Sequence, residues 1–203
     1  MNKLKTNSAE KSILDAAKTI FLQKGMDGAR MQGIADEAGI NKSMLHYYFR
    51  SKELLFNAVF MEAFSTLAPQ LNEILNSDRS ICDKIKGFSH NYITFVIAHP
   101  YLPNFILQEI NRNKAFVQDL ISKKHFPSIK KFKLQVEEKV ADGTLRPIKA
   151  EHLFINIMAL NIFPFVAAPL LKGILGSSDA QYKNLVEQRK TEVAAFIINS
   201  IKL

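Results

Sequence analysis

The sequence contains a single cysteine, Cys82, among 203 residues. One thiol cannot close an intramolecular disulfide or supply a cysteine-rich zinc site, and a chain of this length can bury a sizeable core without either. Common catalytic motifs are also missing, because there is no G-x-S-x-G elbow, no glycine-rich phosphate loop and no H-E-x-x-H pair. We therefore expect no enzyme, no catalytic or metal site and no cofactor.

Segments that would direct the chain to a membrane are weak. The first residues contain no apolar stretch of the signal-peptide kind, which together with the lone cysteine predicts a cytoplasmic protein. Residues 153–171 carry no charge over 19 positions, long enough for a membrane span. Asn156, Asn161, Pro164 and Pro169 interrupt this stretch, so we interpret it as a buried helix and expect no membrane partner.

Positive charge is in excess and is concentrated near the N-terminus. Lysine and arginine total 27 against 19 acidic residues, which gives a net charge of +8. Residues 1–52 hold nine of the cations and five of the anions, so half of the excess lies in a quarter of the chain. This distribution indicates an anionic partner for the N-terminal part.

Apolar residues recur at helical spacing throughout, and no convincing alternating pattern is present, which predicts an all-α fold. In the N-terminal part we expect a helix ended by Gly25, a short helix over 31–38 ended by Gly39, a third short helix capped by Asn41, and a fourth capped by Ser51. Longer helices are predicted farther along the chain. They cover residues 81–96, 101–111, 115–140, 150–171 and 179–201.

Two short helices joined by a glycine-containing turn are typical of a helix-turn-helix, whose second helix enters the major groove of DNA. The run Ile34-Ala-Asp-Glu-Ala-Gly39-Ile-Asn-Lys-Ser-Met-Leu-His-Tyr-Tyr-Phe49-Arg-Ser-Lys-Glu-Leu-Leu55 resembles the N-terminal signature of the TetR (tetracycline repressor) family. The resemblance is sharp over residues 12–55. It implies a three-helix DNA-binding domain over 1–52 and a helical effector-binding and dimerisation domain over 53–203.

The resemblance also implies which residues meet an operator in double-stranded DNA. Outward residues of the third helix would contact bases or phosphates, the start of the second helix would touch the backbone, and Lys52 would bind a phosphate. The expected DNA-binding residues are Met31, Gln32, Lys42, Ser43, Met44, His46, Tyr47, Tyr48 and Lys52. Arg30, Ser43 and Met44 depart from the residues that the family often has there, so the operator sequence stays open.

One DNA-binding domain would contact only a few base pairs. Specificity therefore requires two such domains, and hence a homodimer on a palindromic site. The last helix carries a long apolar stripe that includes Val186, Val193 and Ile197. With the uncharged helix before it, this stripe predicts a four-helix interface between two subunits. An intrachain core is the alternative.

An aromatic-rich stretch with a few polar groups suggests a site for a small effector in the C-terminal domain. The candidate lining residues are Phe88, His90, Tyr92, Phe95, Tyr101, Phe105, Phe163 and Phe165. The same residues could be ordinary core, in which case the body would be an assembly platform without an effector. The resemblance implies a repressor released from DNA by an apolar or amphipathic molecule, although the sequence leaves activation open.

Overall fold

The computed structural model describes residues 2–123 and 126–203, with side chains described from residue 9 onward. Eleven helices lie within these residues, and the described chain contains no strand, only an isolated antiparallel bridge between Leu145 and Lys202. The predicted all-α fold is confirmed. The helices are α1 (Asn2–Gly28), α2 (Met31–Glu37), α3 (Lys42–Tyr48), α4 (Lys52–Asn76), α5 (Ile81–Ala98), α6 (Leu102–Arg112), α7 (Lys114–Ser122), α8 (Lys130–Ala141), α9 (Ala150–Val166), α10 (Ala168–Leu175) and α11 (Asp179–Ile201).

The chain divides into two compact units, Met1–Ser65 and Thr66–Leu203. We call the first unit the head and the second the body. The domain boundary expected from the sequence, at residue 52, coincides with the first residue of α4, and α4 itself continues from the head into the body.

Local signals in the head act as predicted with one exception, since Gly25 bends α1 and does not end it. Gly25 has φ 65° and ψ −179°, so α1 is kinked there. After α2, Gly39 takes a left-handed conformation (φ 67°), and the amides of Gly39 and Ile40 donate to the carbonyls of Asp36 and Ala35. This bond pattern ends a helix and turns the chain sharply, which requires a residue tolerant of positive φ.

Two predicted helices of the body are wrong in extent, because proline interrupts each of them. The helix expected over 115–140 is two helices, α7 and α8, separated by a segment that contains Pro127. The helix expected over 150–171 ends at Val166 and resumes as α10, with Pro169 in its first turn and a bend of 75° between the two. Proline lacks an amide proton and disfavours helical geometry in the residue before it.

The uncharged stretch thus forms a bent pair of helices. Within the described residues, no single helix is long and apolar enough to span a membrane, and α9 with α10 passes that test only as a broken pair. In α9 the buried side chains include Leu153, Ile157 and Asn161, while Ile155 and Phe163 are more than half exposed. One side of α9 therefore packs in the body and the other faces outward within a single chain.

The core of the body joins residues from α4, α5, α8, α9 and α11 around Phe88, Phe132 and Ile197. The α11 stripe expected to form a subunit interface is therefore wrong in its residues, because Val193 and Ile197 lie in this core and Val186 is 5% exposed, so the stripe packs within the chain.

The buried polar groups of the body are mostly paired. The amide nitrogen of Asn161 donates to the Ser89 hydroxyl at 3.1 Å and to the Ile157 carbonyl at 2.7 Å. The fully buried Lys84 donates to the Leu75 carbonyl at 2.8 Å, and burial lowers the pKa of its ammonium.

Candidate nucleic-acid interface and ligand groove

Helix α3 presents a polar face from a short, well-fixed scaffold. The side chain of Asn41 accepts a hydrogen bond from the Met44 amide at 2.7 Å, which caps the helix as predicted. Leu45 is fully buried and Phe49, just after the helix, is 9% exposed. These two apolar residues hold one side of α3 in the core of the head, which orients the opposite side outward.

The outward side of α3 is the one expected to contact DNA. Tyr47 is 81% exposed, an unusual state for a large aromatic side chain. Its ring packs edge-on against the half-buried Tyr48, with centroids 5.5 Å apart. The exposed side chains of α3 are Lys42, Ser43, Met44, His46 and Tyr47. This face offers a cation, hydroxyls, an imidazole and a thioether, groups that can bond phosphates or meet base edges.

Helix α2 contributes its first residues to the candidate DNA-binding surface. Met31 is half-buried and Gln32 is exposed, with the Gln32 amide nitrogen donating to the Asp36 carboxylate at 2.7 Å. Arg30 occupies the position before the helix in an extended conformation, and among the residues described no side chain caps α2. The free amides of a helix N-terminus can bind an anion such as a phosphate.

Lys52 lies in an environment that sequence reasoning missed. Its ammonium donates to the backbone carbonyls of Met26 at 2.8 Å and of Ala29 at 3.2 Å, and its side chain is half-buried. The resemblance suggested only a phosphate contact for this residue. A three-dimensional approach of α4 to the end of α1 leaves no signal in the local sequence.

The aromatic residues proposed for an effector site do not gather around one cavity. Phe88 is 1% exposed and stacks on Tyr92 within the body core, against which Phe95 also packs. Phe105 is buried beside Phe116, whereas Phe163 is 55% exposed. Tyr101 is half-buried with its hydroxyl 3.3 Å from His99 Nδ1, and Phe165 is half-buried in α9. Most of these residues therefore pack in separate parts of the body and do not line a common cavity.

An open groove of about 520 Å³ runs between α5 and α11 in the body. Of the eight predicted residues, His90 alone is among those described as lining it. The lining residues are Lys86, Gly87, His90, Asn91, Lys190, Thr191, Ala194 and Ala195. Lysines stand on both walls, Lys86 on α5 and Lys190 on α11.

The electrostatic character of the groove is positive at its surface. None of the described lining residues is acidic. Carboxylates lie next to the groove rather than in it, with Asp83 3.8 Å from Lys86 and Glu187 2.5 Å from Lys190. Such surface ion pairs contribute little to stability, so an anionic ligand could replace either carboxylate.

Metal binding finds no support in this part of the chain. No group of three or more His, Cys, Asp or Glu side chains with metal-binding geometry occurs among the described residues. Cys82 is half-buried against the body core.

Comparison with known proteins connects this geometry to a family of regulators. Residues 13–59 match the family model described as bacterial regulatory proteins, tetR family. The chain is 27% identical over 173 residues to the HTH-type transcriptional regulator RutR of Escherichia coli strain K12, an alignment that covers 85% of this chain and 81% of RutR. It is 29% identical over 143 residues to the HTH-type transcriptional repressor KstR2 of Mycolicibacterium smegmatis, covering 69% of each.

Solved structures extend the likeness over both units. The structure of a TetR-family transcriptional regulator from Haemophilus influenzae aligns with a TM-score of 0.56 and 15% identity, covering 100% of both chains. At this identity the likeness concerns the fold, an N-terminal helix-turn-helix followed by a helical domain. The curated relatives are named as transcriptional regulators rather than as enzymes.

Proposed function

Because the chain is a DNA-binding transcriptional regulator of the TetR family, we propose that it is a homodimeric repressor of a palindromic operator, released by a small amphipathic effector. The observation that carries the proposal is the exposed polar face of α3 on a helix held by Asn41, Leu45 and Phe49. Relatives named as repressors support the sign of regulation. We also propose a cytoplasmic location, where the operator would be.

In this proposal α3 lies in the major groove of DNA and determines sequence specificity. Lys42 can donate to guanine O6 or N7, Met44 can meet a thymine methyl, and His46 can bond a base or a phosphate. Ser43, Tyr47 and Tyr48 carry hydroxyls suited to phosphate oxygens, and Met31 and Gln32 begin the helix whose free amides point at the backbone. Base contacts would set specificity, while the phosphate contacts would fix the orientation of the head.

DNA binding is tested by fluorescence anisotropy with DNA from upstream of the protein's own coding region, titrated with salt. We expect specific binding at least about a thousandfold tighter than binding to random DNA. Lys42→Met should weaken specific binding, and Ile121→Glu, an exposed change on α7, should leave it unchanged. Equal affinity for upstream and random DNA would refute autoregulation at this site.

The proposed dimer rests on an apolar surface formed by helices α9, α10 and α11 of the body, which we call the α9–α11 face. Seven large apolar side chains on these helices are at least 36% exposed: Ile155, Phe163, Leu170, Ile174, Leu175, Leu185 and Phe196. Many exposed large apolar side chains on neighbouring helices indicate an interaction site, since such surface would otherwise promote aggregation. A second copy of the chain, packed as a four-helix bundle, is the occupant that two-headed DNA recognition requires.

The dimer is tested by size-exclusion chromatography with light scattering. Phe196→Glu places a charge on the α9–α11 face and should convert a dimer to a monomer at micromolar concentration. Ile121→Glu is the matched control, because this residue is 57% exposed on α7, outside that face, and should leave the dimer intact. A monomeric wild-type protein would remove the dimer from the proposal.

We propose the groove between α5 and α11 as the effector site. Its volume of about 520 Å³ suits a small molecule. Lys86 and Lys190 on its walls and an apolar floor at Gly87 and Ala194 favour a molecule with an anionic head and an apolar body. The dimer would have one conformation in which both heads can bind the operator at once and another in which they cannot. Such a ligand would release DNA by binding the second conformation more tightly.

Thermal-shift measurements with octanoate, dodecanoate and octylamine test this assignment. A ligand at ten times its Kd stabilises the native state by about 1.4 kcal/mol and raises Tm by about 3–5 °C. We expect a shift with the carboxylates and none with octylamine. Lys190→Met should abolish the shift, and Lys183→Met, an exposed change on the same helix, should not. Absence of any shift across the carboxylates would favour the alternative of a body that serves only assembly.

A further inference from the structure

The ammonium of Lys52 holds the segment between α1 and α2. Lys52 is the first residue of α4, yet it bonds the carbonyls of Met26 and Ala29, 26 and 23 positions earlier in the chain. These carbonyls lie at the end of α1 and just before α2 begins at Met31. One side chain thus ties the beginning of α4 to the entry of a helix that is expected to meet DNA.

Both carbonyls need such a partner. Met26 lies just beyond the kink at Gly25, and because α1 ends at Gly28 its carbonyl has no amide four residues on within the helix. Ala29 is 2% exposed, so its backbone oxygen has little access to water. A cation is the favoured partner at a helix C-terminus, because the helix dipole is negative there.

Helix α2 has no side-chain cap, as α6, α8, α9 and α10 also have none among the described residues, whereas several other helices are capped. Asn41, Ser80 and Ser178 each accept an amide bond at the N-terminus of α3, α5 and α11. At α2, Arg30 makes no capping bond among the described residues. The two bonds from Lys52 therefore add to the burial of Ala29 and to the bond from the Ile34 amide to the Arg30 carbonyl in restraining the residues immediately before α2.

We propose that Lys52 is a positioning residue for DNA binding. By holding Met26 and Ala29, it orients the N-terminus of α2, so that Met31 and Gln32 meet the phosphate backbone. Two of the three ammonium donors are used in this way without DNA. In this proposal the holding contact, rather than a phosphate contact, is the main contribution of Lys52. The inference rests on the proposed DNA-binding function, but its structural half can be measured without DNA.

The first test is amide hydrogen exchange of the full-length protein without DNA. Lys52→Met keeps the length of the side chain and removes its donors. The hydrogen-bonded amides of α2, beginning with Ile34, which bonds the Arg30 carbonyl, should therefore exchange about tenfold faster or more. Amides of α3, capped by Asn41, should keep their wild-type rates. Lys24→Met is the matched control, since it removes an exposed charge from the same helix end and should change nothing. Unchanged exchange of these α2 amides in Lys52→Met would overturn the proposal.

The second test is a double-mutant cycle on operator affinity. If Lys52 acts through the start of α2, the loss caused by Gln32→Ala should largely disappear in the Lys52→Met background. Losses from Lys42→Met on α3 should add to that of Lys52→Met. The salt slope should stay at the wild-type value in Lys52→Met, whereas loss of a direct phosphate contact would reduce it by about 1. Additive losses for Gln32 and Lys52, or a reduced slope, would overturn the positioning role.

These tests separate the proposal from the DNA-binding function on which it rests. A wild-type protein that fails to bind any DNA contradicts the proposed function, while the exchange measurement still decides whether Lys52 holds the segment. If Lys52→Met prevents the head from folding, Lys52→Gln takes its place in both tests, because the amide retains a donor. Full loss of protection of the hydrogen-bonded α2 amides in Lys52→Arg, which keeps charge and donors, would count against the proposal.

Discussion

Arg189 supplies the hydrogen bond that Pro164 cannot make. Pro164 lies inside α9, where the amide of residue 164 would bond the carbonyl of Leu160, but proline has no amide proton. The Arg189 guanidinium donates to that carbonyl at 2.7 Å from α11. Arg189 is half-buried, and this burial lowers the pKa of its guanidinium, which stays charged at any ordinary pH. We predict that this single contact stabilises the C-terminal half of α9.

The magnitude follows from the type of bond. A hydrogen bond from a charged donor contributes about 1.5–3 kcal/mol, and the partly exposed position of Arg189 places Arg189→Met near the lower end, about 1.5 kcal/mol. Pro164→Ala restores the amide and with it the intrahelical bond to Leu160. In the Pro164→Ala background, Arg189→Met should therefore cost only about 0.5 kcal/mol or less, a coupling of about 1 kcal/mol.

Urea denaturation at one fixed protein concentration measures the four corners of this cycle, because the stability of a dimer depends on concentration. Tyr182→Phe is the control. Its hydroxyl donates to the Pro164 carbonyl at 2.7 Å, and that carbonyl remains in Pro164→Ala, so the loss of about 1 kcal/mol should be the same in both backgrounds. An equal cost of Arg189→Met with and without Pro164 would refute the substitution of one donor for the other.

Three further predictions concern local devices. Gly39→Ala should destabilise the head by about 1 kcal/mol through its positive φ alone, because an added Cβ would meet no atom within 4 Å; Gly39→Asn should cost less in the same denaturation assay. Asn41→Ala removes the cap of α3, should cost about 1 kcal/mol, and should accelerate amide exchange in α3 while leaving α5 unaffected. Hydrogen bonds from Lys139 and Thr144 lower the pKa of Asp142 from 3.8 to about 2, so its stabilising contribution is present above pH 3.8 and is lost as pH falls towards 2. An NMR titration of Asp142 with a midpoint near 3.8 would contradict this, and Asp142→Asn should remove that part of the acid dependence.

The head was predictable because its signals are local. Gly39 ends α2, Asn41 caps α3, and the spacing of Ile34, Leu45 and Phe49 marks the inward side. Each of these acts within one or two turns of helix, where spacing along the chain corresponds to spacing in space. The exposed side of α3 follows from the same periodicity.

Prediction was weaker in the body, where proline and long-range packing decide. Pro127 and Pro169 divide helices that apolar periodicity alone would continue. The aromatic residues were expected to line one site, yet most of them pack in separate places, because an aromatic side chain at helical spacing looks the same whether it lines a cavity or fills a core.

By itself, the sequence determined the all-α class, the helix-turn-helix and the face of α3 that is exposed, since periodicity, caps and turns are encoded by near neighbours. Tertiary structure alone decided which groups from distant parts of the chain meet. It brought Lys52 to the carbonyls of Met26 and Ala29, and Arg189 to Leu160. It also formed the groove between α5 and α11. Such contacts depend on how helices cross, and the crossing is set by the packing of the whole unit rather than by any one segment.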